Sequence, residues 1–230
     1  MYRMRILVNG NPIPIFDDYR NGKKWIEARK DSIFSIKIEN SSYNRVLAVI
    51  SVDGLNVINA KHEDPHNSTG YIINSNSSIV VPGWLIDQEK VREFVFTERG
   101  TSYAKKIGAD QSNIGVIGAA IFPEKPRYHL STWNSQPTFS YSFSNGYNYS
   151  NGAVPITATN FTEKLYRSDV SVGSGEYQNY NTEEVSFNRD KLETTLVIYY
   201  ENKEKLIEMG ILDNNSPQPF LTPTNYCPDV

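Results

Sequence analysis

A single cysteine, Cys227, has no partner in this chain, which excludes an internal disulfide framework. Stability must come from packing and from a hydrogen-bonded ladder. Flanked by Tyr226 and Pro228, that thiol is expected to be incidental, in a docked tail, and not a nucleophile. Cationic surplus is also missing. Lys and Arg number 23 against 26 Asp and Glu, a formal charge of −3. That balance excludes the basic stripe needed for nucleic acid and the polybasic anchor needed for an anionic membrane. No apolar run approaches the roughly 18 residues that span a bilayer. The opening MYRMRILVNGNP holds a three-residue apolar run before Asn9-Gly10. A signal peptide needs an apolar stretch of about 7–15 residues, so none is expected, and the chain is expected to be made in a cytosol or assembled there. Charged residues are only 21% of the chain, and Asn, Ser and Thr supply the remaining polarity.

What is present is a β pattern. Between Arg45 and Phe122, apolar runs of strand length alternate with Gly, Asn and Pro punctuation: RVLAVISV then DG, GYII then NSNSS, IVVPGWLI, REFVFT and NIGVIGAAIF. Residues 46–52 are almost wholly apolar and read as a central strand buried on both faces; residues 114–122 read as a second. Upstream, residues 2–8 run to Asn9-Gly10, a hairpin dipeptide, and Asn21-Gly22 is another. IFSIKI (33–38) alternates as a half-buried strand should. Hairpin-linked antiparallel strands are therefore expected in the opening quarter. Residues 78–86 form a strand interrupted at Pro82-Gly83, which demands an edge or a bulge. Residues 101–107 can form one helical turn stopped by Gly108.

The texture changes after Pro123. Residues 126–181 are low in charge and rich in Ser, Tyr, Asn, Thr and Gly. TFSYSFSNGYNYSNG alternates hydroxyl or amide with aromatic, the pattern of an exposed hairpin turning at Asn145-Gly146 or Asn151-Gly152, or of a polar-aromatic segment without fixed structure. Strand character returns at 184–187 and 194–200. NKEKLIEM (202–209) reads as a short helix capped by Asn202 and ended by Gly210. Four prolines in 217–228 predict an extended tail. The domain reading is thus a 1–125 sandwich core, a 126–181 insertion or hairpin, and 182–230 completing strands, helix and tail.

His62 and His66 bracket Glu63 and Asp64, but Pro65 between them breaks the helical i, i+4 presentation of metal ligands, and a solvated loop is expected. Asp53 ends a strand before Gly54 and reads as a turn former whose side chain bonds backbone amides. Asp17-Asp18 and Glu183-Glu184 are adjacent in sequence, so on a strand they face opposite ways and form no dyad. VGSGE (172–176) lacks nucleophile-elbow spacing, and IGVIGAA lacks that of a phosphate loop. Of the tryptophans, Trp84 sits in an apolar run and is expected in the core. Trp133, with Phe139, Tyr141, Phe143, Tyr147 and Tyr149, has the composition of a binding surface: rigid amphipathic rings among Ser, Asn and Gly. These six are the candidate binding residues; neither a metal site nor a cofactor is expected.

The segments VLAVISVDGLNVINAK, GYIINSNSSIVVPGW, REFVFT, SYAKKIG and NIGVIGAAIF resemble an uncharacterised family of bacterial and phage proteins. In that family a Ser-Val-Asp-Gly-Leu strand end, a Gly-Tyr, a Pro-Gly-Trp and a Gly-Val-Ile-Gly-x-Ala-x-Phe strand occur in this order. The resemblance covers about residues 40–123 and continues more weakly at VSFNRD and LVIYYENKEKLIEMGI. It implies no activity. The 126–181 tract departs from the family's compact pattern and implies a lineage-specific surface.

The expected fold is all-β: an antiparallel β-sandwich, jelly-roll or immunoglobulin-like, with one short C-terminal helix. Val46, Leu47, Val49, Ile50, Phe94, Phe96, Val116, Ile117 and Phe122 are expected to be buried. The expected function is that of a non-enzymatic structural binding protein in a virion, a capsid decoration or minor structural protein. Its expected partners are other structural proteins, capsid or self, in an oligomeric assembly. A carbohydrate-binding module using Trp133 and the tyrosines is the alternative. A metal-dependent enzyme built on Asp53 with His62, Glu63 or Asp64 is the third reading.

Overall fold

The structure, a computed structural model, describes residues 1–126 and 168–213. The described residues 1–125 and 168–213 form one compact unit. A second, Pro126–Tyr166, lies outside the described residues except for Pro126. In chain order the strands are β1 (Tyr2–Val8), β2 (Asn11–Pro12), β3 (Phe16–Asp18), β4 (Lys23–Glu27), β5 (Ile33–Asn40), β6 (Val46–Val52) and β7 (Leu55–Asn56). They continue with β8 (Tyr71–Ile73), β9 (Ser77–Val81), β10 (Gly83–Leu85), β11 (Lys90–Glu98), β12 (Val116–Pro123), β13 (Val170–Asn179) and β14 (Thr194–Glu201). Helix α1 (Tyr103–Lys106) precedes β12 and helix α2 (Lys203–Glu208) follows β14.

These strands make a sandwich of two seven-stranded sheets, as the alternation in the sequence requires. Sheet I runs β10-β11-β5-β1-β2, with β13 on β11 and β9 on β5; sheet II runs β3-β4-β14-β12-β6-β7, with β8 on β6. Residue chemistry sets the corners. Asn9 and Gly10 (φ 51° and 75°) close the two-residue hairpin that pairs Val8 with Asn11. Asp53 and Gly54 (φ 53° and 79°) do the same between β6 and β7. Both are left-handed pairs, the conformation a tight hairpin imposes. Pro82 separates β9, which pairs with β5, from β10, which pairs with β11. Asn202 caps α2 by accepting from the Lys205 N–H at 2.8 Å, and Leu206 anchors that helix in the core.

The core lies between the layers. Phe34 stacks on Phe96 at 4.2 Å and on Phe94 at 5.2 Å, and Trp84 meets Phe94 edge-on. Strand periodicity decides which side chains reach it. On β6, Val46, Ala48, Ile50 and Val52 enter the inter-sheet core, while Leu47 and Val49 face the other way. They are buried too, in a smaller cluster with Ala120 and Phe122 that Ile72 and Phe187 cover. This explains why 46–52 reads as apolar throughout.

Several expectations need correction. Sheet II is mixed: β4 pairs with β14 in parallel, Trp25 beside Tyr199. The opening quarter is therefore not a simple hairpin series, since β4 and β5 belong to different sheets. Val116 is only half-buried. Ile117, Ala119 and Ile121 take the inward positions of β12, so Val116 points outward, one face away from the core. Residues 184–187 form no strand. They belong to a segment that crosses the outer face of sheet II, where Phe187 lies on the Leu47 cluster. The 126–181 appendage is shorter than expected, because β13 belongs to sheet I and runs antiparallel along β11.

Candidate functional site

Two places in the described residues carry unusual chemistry. The first is buried. Asp53 is 1% exposed, and its carboxylate leaves the turn that its backbone forms. Oδ1 accepts the Gly115 N–H at 3.0 Å and the Tyr200 hydroxyl, while Oδ2 accepts the Val172 N–H at 2.9 Å. Tyr200 belongs to sheet II, Gly115 immediately precedes β12 of that sheet, and Val172 belongs to sheet I, so one carboxylate ties the layers together. Next to it Glu201 accepts the N–H groups of Asp169 and Asn202 at 3.1 and 2.8 Å. Burial pushes the Asp53 carboxyl up to about 6, against the hydrogen bonds that hold it down. Burial likewise raises Glu201, and burial together with the Asp53 charge raises Tyr200. Asp53 is thus the amide-bonding residue the sequence pattern predicts, but the amides are distant ones. Sealed and fully engaged, it is a cornerstone of the fold.

The other candidate groups stay apart. The His62 ring lies against Gly54, where an added Cβ would stand 2.5 Å from Cε1. His66 is exposed and bonds its neighbour Asp64 at 2.8 Å. Among the described residues no three His, Cys, Asp or Glu side chains converge as a metal site. Trp25 and Trp84 are both buried, Trp84 donating to the Gly173 carbonyl at 3.1 Å, so neither presents a stacking face. Trp133, Phe139, Tyr141, Phe143, Tyr147 and Tyr149 lie outside the described residues.

The second place is open. A slot of about 970 Å³ runs along the side of the sandwich where β1 of sheet I approaches β14 of sheet II. Met4, Ile13, Ile15, Leu196 and Ile198 give it an apolar lining. Both flanking strands are incompletely paired there. β2 covers only Leu7 and Val8 of β1, and one further bond joins the Ile13 N–H to the Ile6 carbonyl. β4 covers only Tyr199, Tyr200 and Glu201 of β14. Alternation then identifies the open backbone groups. On β1, Val8 and Ile6 point to the β2 side, so Met4 and Tyr2 do as well. On β14, the Tyr200 N–H goes to Gly115 in the β12 direction and the Glu201 carbonyl accepts from Ala28 on the β4 side. Val197 and Thr195 therefore face the slot's side. None of these four has a ladder partner in that direction among the described residues.

The rim is cationic. Arg3, Arg5, Lys23 and Lys24 line the slot, and among the described residues no acidic side chain does. Arg3 and Arg5 lie 3.9 and 3.8 Å from Glu39, which is held below the usual carboxylate range chiefly by its hydrogen bond to Lys37. Lys24 meets Asp17 at 2.7 Å, and Lys23 sits 4.9 Å over the Tyr199 ring. At one end the Tyr2 hydroxyl donates to Glu193 at 2.7 Å. None of these residues was singled out from the sequence. Each is ordinary for a strand, and only the topology shows that the strands beside β1 and β14 stop early.

Compared with family models, with curated proteins and with solved structures, the chain matches none. No helix among the described residues is long and apolar enough to cross a membrane.

Proposed function

We propose that this protein is a non-enzymatic structural binding component of a virion, a capsid decoration or minor structural protein. The observation that carries the binding part is the slot: an apolar channel flanked by two strand edges whose backbone groups lack ladder partners among the described residues. Natural sandwiches blunt or cover such edges, because an open edge recruits another chain. The buried acids, Asp53 and Glu201, are occupied in holding strands together, and among the described residues the slot lining contains no carboxylate or imidazole to move a proton. The virion part is supported by the resemblance of residues 40–123 to a family with phage members and by the polar-aromatic tract, whose composition suits surface contact.

The test is protein content. Particles purified from an infected or induced host are analysed by mass spectrometry, and the purified protein is sized in solution. The expected result is this chain at a fixed copy number per particle. A stable monomer absent from every particle fraction would refute the reading.

A further inference from the structure

We propose that the β1–β2 corner Asn9-Gly10-Asn11 is a site of spontaneous covalent modification, where Asn9 is converted to aspartate and isoaspartate through a cyclic imide, with the Asn11 side chain as the activating group. Water is the only other reactant.

The chemistry needs an amide carbon, a main-chain nitrogen to attack it, and freedom for the two to meet. Gly10 supplies the nitrogen, and with no Cβ it leaves the approach open. That nitrogen, on losing its proton to water, attacks Asn9 Cγ. A new N–Cγ bond closes the imide ring, the Cγ–Nδ2 bond breaks, and the side-chain nitrogen takes up a proton and leaves as ammonia. Water then opens the ring. Attack at Cγ breaks the new bond and leaves aspartate. Attack at the main-chain carbonyl carbon breaks the original peptide bond, so the chain continues through the side chain as isoaspartate. The sum is one water consumed and one ammonia released.

Two Asn-Gly pairs lie among the described residues, and their surroundings differ. At Asn21-Gly22 the reacting groups are tied down. The Gly22 N–H donates to the Asp18 carbonyl at 2.8 Å, Asn21 Oδ1 accepts the Lys23 N–H at 2.9 Å, and Asn21 Nδ2 donates to Asp18 Oδ2 at 3.0 Å. Ring closure there must break these bonds, beside a carboxylate that opposes an anionic nitrogen. At Asn9-Gly10 both residues are exposed, and among the described residues neither the Asn9 side chain nor the Gly10 N–H is hydrogen-bonded. The bond that does form there helps the reaction. Asn11 Nδ2 donates to the Asn9 carbonyl oxygen at 3.2 Å. That oxygen and the Gly10 nitrogen share one conjugated peptide group. A donor on the oxygen draws charge from the nitrogen, acidifies its N–H and stabilises the anion left behind.

The corner is also free to turn. β2 meets β1 only at Val8–Asn11 and Leu7–Pro12, and Pro12 has no N–H to give. Few bonds therefore resist the rotation of Asn9 that brings Cγ to the nitrogen. The product alters the fold locally. Each conversion adds a negative charge. Isoaspartate also adds a main-chain carbon to a two-residue turn, and that turn sets the register of Pro12 and Ile13, which line the slot.

The experiment incubates the full chain in mildly alkaline buffer made with heavy-oxygen water, then digests it in ordinary water, so that only conversion during incubation carries the label. Peptides are mapped by mass spectrometry with fragmentation that separates aspartate from isoaspartate. Each rate is divided by that of the same residue in the urea-unfolded chain. This folded-to-unfolded ratio should be at least ten-fold higher at Asn9 than at Asn21, with both products formed. Asn11→Ala should slow Asn9 at least three-fold in the folded chain and leave its unfolded rate unchanged. A merely looser corner would speed conversion, so slowing separates activation from a structural role. A ratio at Asn9 no higher than at Asn21 would overturn the site. An unchanged or faster Asn9 rate in folded Asn11→Ala would overturn the activation by Asn11.

Discussion

The Tyr200 hydroxyl donates to Asp53 Oδ1 inside the sandwich, joining the end of β14 to the turn that follows β6. Both residues are essentially unexposed. The same carboxylate also holds the Gly115 and Val172 amides, so three separate stretches of chain meet on one side chain. Loss of one donor should therefore be felt globally. Tyr200→Phe keeps the ring against Phe96 and removes only the hydroxyl. Leaving a buried carboxylate short of a donor costs about 1–3 kcal/mol. Urea unfolding should show that loss. An unchanged midpoint would mean that the hydroxyl contributes nothing net.

The same burial sets a pH dependence. Asp53 titrates at about 6 in the folded chain, against an ordinary 3.8. Between these values the folded state holds a proton that the unfolded state has lost. Folding stability from this group is thus fully present below about pH 4 and declines as pH rises through 6. The difference of about two pKa units corresponds to roughly 3 kcal/mol. Glu201 is shifted in the same direction by burial and adds to the trend. Asp18 and Glu39, lowered by Arg20 and Lys37, oppose it. The direct check is the Asp53 carboxyl carbon followed by NMR titration. A midpoint near 4 would remove the effect.

The two-layer fold was legible because its signals are local. Alternation in 33–38 and the Asn9-Gly10 and Asp53-Gly54 corners need only neighbouring residues to be read. Of the nine residues expected in the core, eight are buried, and Val116 differs because strand parity alone placed it outward. β13 was hidden for a physical reason. VSVGSGEYQN has the composition of a loop, and its strand conformation comes from pairing with β11 and from the Asp53 bond to Val172, both distant in sequence. The parallel β4–β14 pair was hidden in the same way. The slot could not be read at all, since it is made by where β2 and β4 stop and not by any residue they contain. The aromatic residues from Trp133 to Tyr149, the surface that the sequence does advertise, lie outside the described residues.

Two glycines should respond oppositely to alanine. At Gly83 an added Cβ would lie 2.0 Å from the Arg92 carbonyl oxygen, backbone that belongs to the β10–β11 ladder and cannot swing aside. Gly83→Ala should force the strands apart and cost on the order of 3 kcal/mol or more, the class of effect that follows overpacking. At Gly100 nothing lies within 4 Å and φ is not positive. Gly100→Ala should stay within about 0.5 kcal/mol of the parent. Thermal melts of both variants suffice, and equal effects would contradict the close approach at Gly83.

The outer cover of sheet II makes a separate prediction. Phe187 lies on Leu47, Val49, Ala120 and Phe122, yet it sits in a segment with no ladder of its own, joined by the single Glu124–Arg189 bridge. Arg189 helps hold that segment: its guanidinium donates to the carbonyls of Pro65, His66 and Ser68 and lies 5.3 Å over the Phe122 ring. Beside the bridge's two backbone bonds, Lys125 N–H to the Asn188 carbonyl and Asp190 N–H to the Pro123 carbonyl, the cover is fastened by the Phe187 ring and the Arg189 guanidinium. Phe187→Ala deletes a half-buried ring, so the loss should be below the 3–5 kcal/mol of a fully buried phenylalanine, about 1–2 kcal/mol. The inter-sheet core does not include Phe187, so the loss should be local. Hydrogen exchange should rise in residues 184–190 and in the 61–69 loop that Arg189 pins, while the amides of β5 and β11 keep their protection. Uniform loss across both sheets would mean that the outer cluster is part of one cooperative core, and the division of β6 into two independently covered faces would be wrong.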